Sequence, residues 1–198
     1  MENLKPLPDI LEPDQRNLMF VRIDRSEPPT LAEHHAAIAA VVLGSSVPED
    51  VRSYFATVQN LCLYGWFAYD LYAVVQFMCL TATEMALRKR LSYTGTGRDR
   101  RGLSSLMEQA NKQKLIREKR FAHVREIRNK EAEMLRLYRQ MKLPVAKLKS
   151  DYTNLLAGVI PYLRNAFAHP KGHSIVPPGY ALFQLRLTAE LINQLFLP

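Results

Sequence analysis

Between Pro48 and Leu91 the sequence contains a single strong helix breaker, Gly65. A stretch of that length leaves little room for anything but helix. It opens well: Pro48 falls in the first turn, and Glu49 and Asp50 stand at the positive end of the helix dipole. The spacing predicts either one helix kinked near Gly65 or two helices, over 49–63 and 66–92. From Leu61 to Leu87 large apolar and aromatic residues are too many for one stripe on a surface helix. They predict a central helix buried nearly all round. The same apolar surface would equally serve an interface between two copies, and the sequence does not separate the two. It does not suit a bilayer. Asp70 and Glu84 interrupt the run, and the uncharged piece between Leu71 and Thr83 is well short of the ~20 residues needed to span one.

The remaining segments read as helices around that element, so the expected fold is all-α. Residues 1–29 are the exception, with five of the twelve prolines. They are expected to form an extended N-terminal arm over the domain or a partner subunit, with a short strand possible at Leu18–Ile23. Residues 30–198 are expected to form the helical domain. Thr30 is an N-cap with Glu33 at the capping-box position, opening a helix to Leu43 that Gly44 ends. His34 and His35 lie in it. Being adjacent they do not share a face, so they are expected at the surface and not as metal ligands. Leu103 to Ile116 reads as a short helix. Arg117 to Lys142 reads as a charged helix with an apolar stripe through Phe121, Val124, Ile127, Met134, Leu135, Tyr138 and Met141. A helix capped by Ser150 or Asp151 leads to Pro170. Pro161 inside it should kink or divide it, since it removes a backbone hydrogen bond. A last amphipathic helix spans about Tyr180 to Phe196.

Charge is unevenly spread. The chain carries +8 overall with a pI near 9.6. Residues 88–149 hold 19 basic and 6 acidic residues, a net of +13, which leaves −5 for the rest. That asymmetry points to a basic face for an anionic partner. The candidate RNA-backbone contacts are Arg98, Arg100 and Arg101 in the loop before Leu103, then Arg117, Lys119, Arg120, Arg125 and Arg128, and Lys171 after Pro170. Such contacts are sequence-blind and salt-sensitive.

The segment with the most chemistry is Tyr162-Leu163-Arg164-Asn165-Ala166-Phe167-Ala168-His169-Pro170. Pro170 disfavours helix in the residue before it, so His169 is expected at a helix C-terminus. Arg164 offers a planar fork of donors that matches phosphate. Histidine is a side chain that can take up or give up a proton in catalysis, and His169 supplies one here. Together they suit a phosphodiester. Asp70 and Glu84 are acids in an otherwise apolar helix and need partners there. Either they form structural salt bridges, such as Glu84 with Arg88 at i, i+4, or one of them orients Arg164 or His169.

Arg164-Asn165-x-x-x-His169 resembles the R-N-x-x-x-H signature of the HEPN superfamily, over a region from about Val47 onward. That resemblance implies an all-helical bundle acting as a symmetric homodimer. It also implies a metal-independent endoribonuclease of the bacterial toxin or phage-defence type, with no cofactor. Its catalytic residues would be Arg164, Asn165 and His169. Its partners would be RNA, a second copy of the chain and an antitoxin or defence-system protein. Two other readings stay open: a non-cleaving RNA- or nucleotide-binding module of the same kind, and a helical protein-interaction module.

Other chemistries find little support. Pro170 and Gly172 break any helix between His169 and His173, so a helical H-x-x-x-H metal site is not expected. There is no G-x-S-x-G elbow, and the loop from Ser92 to Gly102 does not match a phosphate-binding P-loop. Cys62 and Cys79 lie in apolar sequence without a C-x-x-C pattern and read as buried free thiols. With no signal-peptide-like start, a cytoplasmic location is expected.

Overall fold

The computed structural model describes residues 4–19, 27–92, 102–126, 129, 152–169 and 175–197. Every regular element among them is helical. The long apolar stretch resolves into two helices, α3 (Glu49–Tyr64) and α4 (Leu71–Arg90), joined by a corner at 65–70; before them come α1 (Gln15–Leu18) and α2 (Leu31–Ala39). After them come α5 (Leu103–Lys112), α6 (Tyr152–Ala168) and α7 (Pro178–Leu195).

The corner has a steric cause. A Cβ on Gly65 would stand 2.4 Å from the Tyr72 ring. That ring is fully buried and cannot retreat. Only glycine lets α4 fold back this closely on α3.

α4 is the central helix. It packs against α3, α5, α6 and α7. Tyr72, Val75, Cys79, Leu80, Ala82, Ala86 and Leu87 are buried along the side of it that faces the core. The burial is one-sided and not nearly all round as expected: on the opposite side Val74 is 43% exposed and Phe77 and Met78 are only partly buried. α3 adds Val51, Phe55, Val58 and Cys62 at helical spacing, and α7 adds Leu185, Leu191, Ile192 and Leu195. Each such side chain contributes about 1.5–3 kcal/mol on burial. Cys62 and Cys79 are free, and burial pushes both thiols up to about 12. No helix among the described residues is long and apolar enough to cross a membrane.

The N-terminal segment differs from the extended arm expected. It holds a 3-10 turn at Leu7–Asp9 and the short helix α1, and it binds the α3–α4 corner through polar groups. Asn17, 1% exposed, donates to the carbonyls of Gly65 and Trp66 at 3.0 and 2.9 Å. Lys5 donates to the Phe67 carbonyl at 3.0 Å, and the Asp14 N–H to the Trp66 carbonyl at 2.9 Å. The corner after α3 turns carbonyls outward that no helix bond satisfies, and the arm supplies donors for those of Gly65, Trp66 and Phe67. Leu18 closes α1, so the strand suggested at 18–23 does not begin there; residues 20–23 lie outside the described part.

Other boundaries shift for local reasons. The capping box of Thr30 and Glu33 forms, but α2 ends at Ala39 and not at Leu43. His34 is half-buried, not at the surface: its Nε2 meets the Cys62 carbonyl at 3.0 Å, and its ring lies near Trp66 and Tyr72. α5 stops at Lys112, where Lys114 takes a positive φ of 56°. The charged helix expected from Arg117 starts later. Glu118–Arg120 is a 3-10 turn, Phe121 is extended and fully buried, and helix begins at 122. Glu190 of α7 accepts the Ala122 N–H at 3.1 Å, so a distant carboxylate caps this helix. Most of 127–151, including Ser150 and Asp151, lies outside the described residues. α6 runs through Pro161 without dividing. Proline removes one backbone bond there, but Leu156 and Ile160 before and at the break, and Leu163 and Phe167 after it, all pack on the core and hold the helix together.

Candidate functional site

α6 turns one side to the core and the other to solvent. From Pro161 onward the exposed residues are Tyr162, Asn165, Ala166 and His169, at i, i+3, i+4 and i+7. That spacing is a single helix face. Asn165 and His169 thus share the exposed row, while Arg164, one residue before Asn165, is turned about 100° away from it toward α4. The helix closes at Ala168, and the His169 N–H still bonds the Asn165 carbonyl at 3.1 Å. His169 therefore occupies a helix C-terminus, in open solvent.

Arg164 is held from below. Its Nη2 lies 3.6 Å from Glu84 Oε2, on the neighbouring α4. Its Nη1 lies 3.4 Å from the Asn165 side-chain oxygen, a long contact. Glu84 also accepts from Arg88, through Nη2 at 2.7 Å and Nε at 3.1 Å. The carboxylate is only 15% exposed, and the two guanidinium groups lie further out. Glu84 thus forms the pair with Arg88 along the helix and also lies beside Arg164 across helices.

Asp70 is elsewhere. It sits at the α3–α4 corner, 3.2 Å from Arg16 of the arm. Fourteen residues of α4 separate it from Glu84, about 21 Å along the axis. Asp70 belongs to an anchor in which Asp14 takes the Arg16 fork at 2.8 and 3.0 Å and also the Tyr69 N–H at 3.1 Å. Arg16 lies 4.4 Å over the Tyr69 ring. The Arg16 guanidinium holds the Asp14 carboxyl down at about 2.

The basic candidates divide. Arg98, Arg100, Arg101, Arg128 and Lys171 lie outside the described residues. Arg117, Lys119, Arg120 and Arg125 lie on one short segment, where Arg125 donates to the carbonyls of Lys119 and Arg120. This segment does not meet the motif. His123 within it contacts the Tyr152 hydroxyl at 2.5 Å, at the start of α6. His169 is at the other end, about 25 Å away along the helix.

A network not anticipated from sequence joins α6 to α7 at that far end. His123 bridges Tyr152 and Glu190, whose carboxylate is 3.9 Å from the other ring nitrogen. Phe121 and Phe183 pack on the His123 ring. Burial holds the His123 imidazole below its ordinary value and pushes the Tyr152 hydroxyl up to about 12. Nothing in the local pattern signals it, because its members are distant in sequence. Tyr162 was also passed over, although its spacing from Asn165 and His169 marks it. Among the described residues no three His, Cys, Asp or Glu side chains cluster as metal ligands would.

Comparison with protein-family models, curated proteins and solved structures finds no match for this chain.

Proposed function

We propose that the chain is a HEPN-like, metal-independent endoribonuclease serving a toxin or phage-defence role, with Arg164, Asn165 and His169 as its catalytic residues. The observation that carries this reading is the exposed position of Asn165 and His169 at the end of α6, with the half-buried Arg164 reaching the Asn165 side chain and backed by the mostly buried Glu84. The 2′-hydroxyl of RNA attacks the adjacent phosphorus, and the 5′-oxygen of the next nucleotide leaves. His169 takes the proton from the nucleophile or delivers one to the leaving oxygen. Arg164 stabilises the charge that builds on the phosphoryl oxygens, where one well-aimed donor contributes about 3 kcal/mol. Asn165 fixes Arg164 or donates its amide to the phosphate. Glu84 acts as a positioning residue through Arg164. The products carry a 2′,3′-cyclic phosphate and a 5′-hydroxyl.

Acid and base are both needed, and each chain offers one His169. The proposal therefore includes a symmetric homodimer in which the second copy supplies the complementary histidine. Support comes from α6, which leaves Leu155 53% and Val159 39% exposed on the side that carries Asn165 and His169. The basic residues from Arg117 to Arg125 would hold RNA backbone further along α6, and an antitoxin or other defence-system protein would restrain the activity.

The test is an end-mapped RNA cleavage assay in EDTA with the full chain, His169→Ala and Arg164→Ala. The expected result is cleavage by the parent and loss of it in both variants. Undiminished cleavage by His169→Ala would refute the assignment. Salt-sensitive binding without new RNA ends would instead identify a non-cleaving RNA-binding module.

A further inference from the structure

We infer, resting on the RNA-cleavage reading above, that Tyr162 is the platform on which an unpaired base of the substrate stacks, beside the phosphate held at Asn165. The ring is 72% exposed, although α6 has a buried side where Leu156 and Ile160 pack. Aromatic side chains usually bury most of their large surface. This one instead continues the exposed row of Asn165 and His169.

The distances suit a nucleotide. Residues at i and i+3 on a helix are neighbours, with Cβ atoms about 5–6 Å apart. That relation holds between Tyr162 and Asn165. His169 stands seven residues on, about 10 Å along the axis. A phosphate held at Asn165 would thus have its reacting atoms toward His169 and an adjoining base over the Tyr162 ring. Every base has a π-face, so such a platform is tolerant of sequence but demands that the base be unstacked. Bases in an RNA duplex are not available in this way, which makes single strands, loops and bulges the substrates. An amphipathic ring with its hydroxyl in water fits this role better than a dry contact between two copies. Val159 and Leu155, one and two turns earlier, are the large aliphatic residues exposed on that face.

The experiment uses the full chain carrying His169→Ala, so that RNA is bound and not cut. A labelled single-stranded 12-mer and a duplex of the same sequence are titrated by fluorescence anisotropy. Adding Tyr162→Ala should weaken single-strand binding about 5- to 100-fold, the range expected for one stacked base, and leave duplex binding unchanged. Tyr162→Phe, which keeps the ring, should restore the parent's preference. The side chain is exposed, so neither change disturbs the core. If Tyr162→Ala binds the single strand as the parent does while Arg164→Ala binds it weakly, the platform is overturned and the RNA reading stands. If the parent binds neither RNA, that reading falls and the platform with it. If Tyr162→Ala converts a dimer to monomers in sedimentation without changing affinity per site, the ring is a contact between copies and the inference is overturned.

Discussion

Replacing Asp14 by asparagine should cost stability at neutral pH and progressively less as the solution is acidified. Asp14 is 16% exposed and sits between the Arg16 fork and the Tyr69 N–H, where its carboxyl titrates at about 2 and not at 3.8. A group whose folded value is depressed stabilises the fold above its unfolded value. That stability is lost as pH falls through the folded value. The shift is worth roughly 2 kcal/mol at full value, at 1.36 kcal/mol per unit. Solvent screening of a pair at the rim of the protein reduces this to about 1 kcal/mol. Asparagine keeps one oxygen, enough for the Tyr69 N–H or the Arg16 N–H but not both; a protonated carboxyl is limited in the same way, so the difference between the two proteins still closes in acid. Urea unfolding of the parent and Asp14→Asn, followed by far-ultraviolet circular dichroism at pH 6, 4, 3 and 2, measures the difference. The gap should be about 1 kcal/mol at pH 6, corresponding to a Tm lower by about 2–4 °C, and should close between pH 4 and 2. A gap that stays constant down to pH 2 would refute the argument that the arm is anchored by this charge.

Three further outcomes follow from the geometry. Gly65→Ala drives a methyl into the Tyr72 ring and should destabilise by about 1–3 kcal/mol; combined with Tyr72→Leu the two losses should be clearly less than additive in a denaturation cycle. Under the proposed RNA cleavage, Glu84→Gln loosens Arg164 and should lower kcat/KM about 10- to 100-fold, whereas Asp70→Asn, bound to Arg16 at the far end of α4, should leave it within twofold; equal effects would show that Glu84 does not position the site. Burial holds the His34 imidazole below its ordinary value of 6.5, so the unfolded chain takes up that proton more readily. Stability should therefore fall as pH drops below about 6.5, and His34→Gln should flatten that limb of the thermal-melt profile.

The helices themselves were legible along the chain, because their signals are local. The Thr30–Glu33 capping box and the break at Gly65 act within a few residues of themselves. The burial of the core-facing side of α4 follows from the run of apolar residues between Leu61 and Leu87, and Arg164, Asn165 and His169 end up on one stretch of α6 because they are neighbours in sequence. What the sequence by itself determined is therefore the class of fold, the place of its central helix, and the grouping of the motif at a helix end.

The tertiary structure decided everything that depends on residues far apart in the chain. It sorted the two acids, sending the mostly buried Glu84 of α4 to Arg164 and the more exposed Asp70 at the start of α4 to Arg16, a choice invisible in α4 alone because both partners come from other segments. It turned a proline-containing arm into the polar cap of the corner after α3, since only in the folded chain do the carbonyls of Gly65 and Trp66 need Asn17. It kept α6 whole across Pro161, where the packing of Leu156, Ile160, Leu163 and Phe167 outweighs one lost backbone bond. And it set the basic residues from Arg117 to Arg125 at the opposite end of α6 from His169, because His123 docks on Tyr152 and fixes that segment a full helix length away. Local signals act through backbone geometry and short-range hydrogen bonds; these outcomes rest on contacts that exist only once the helices have packed.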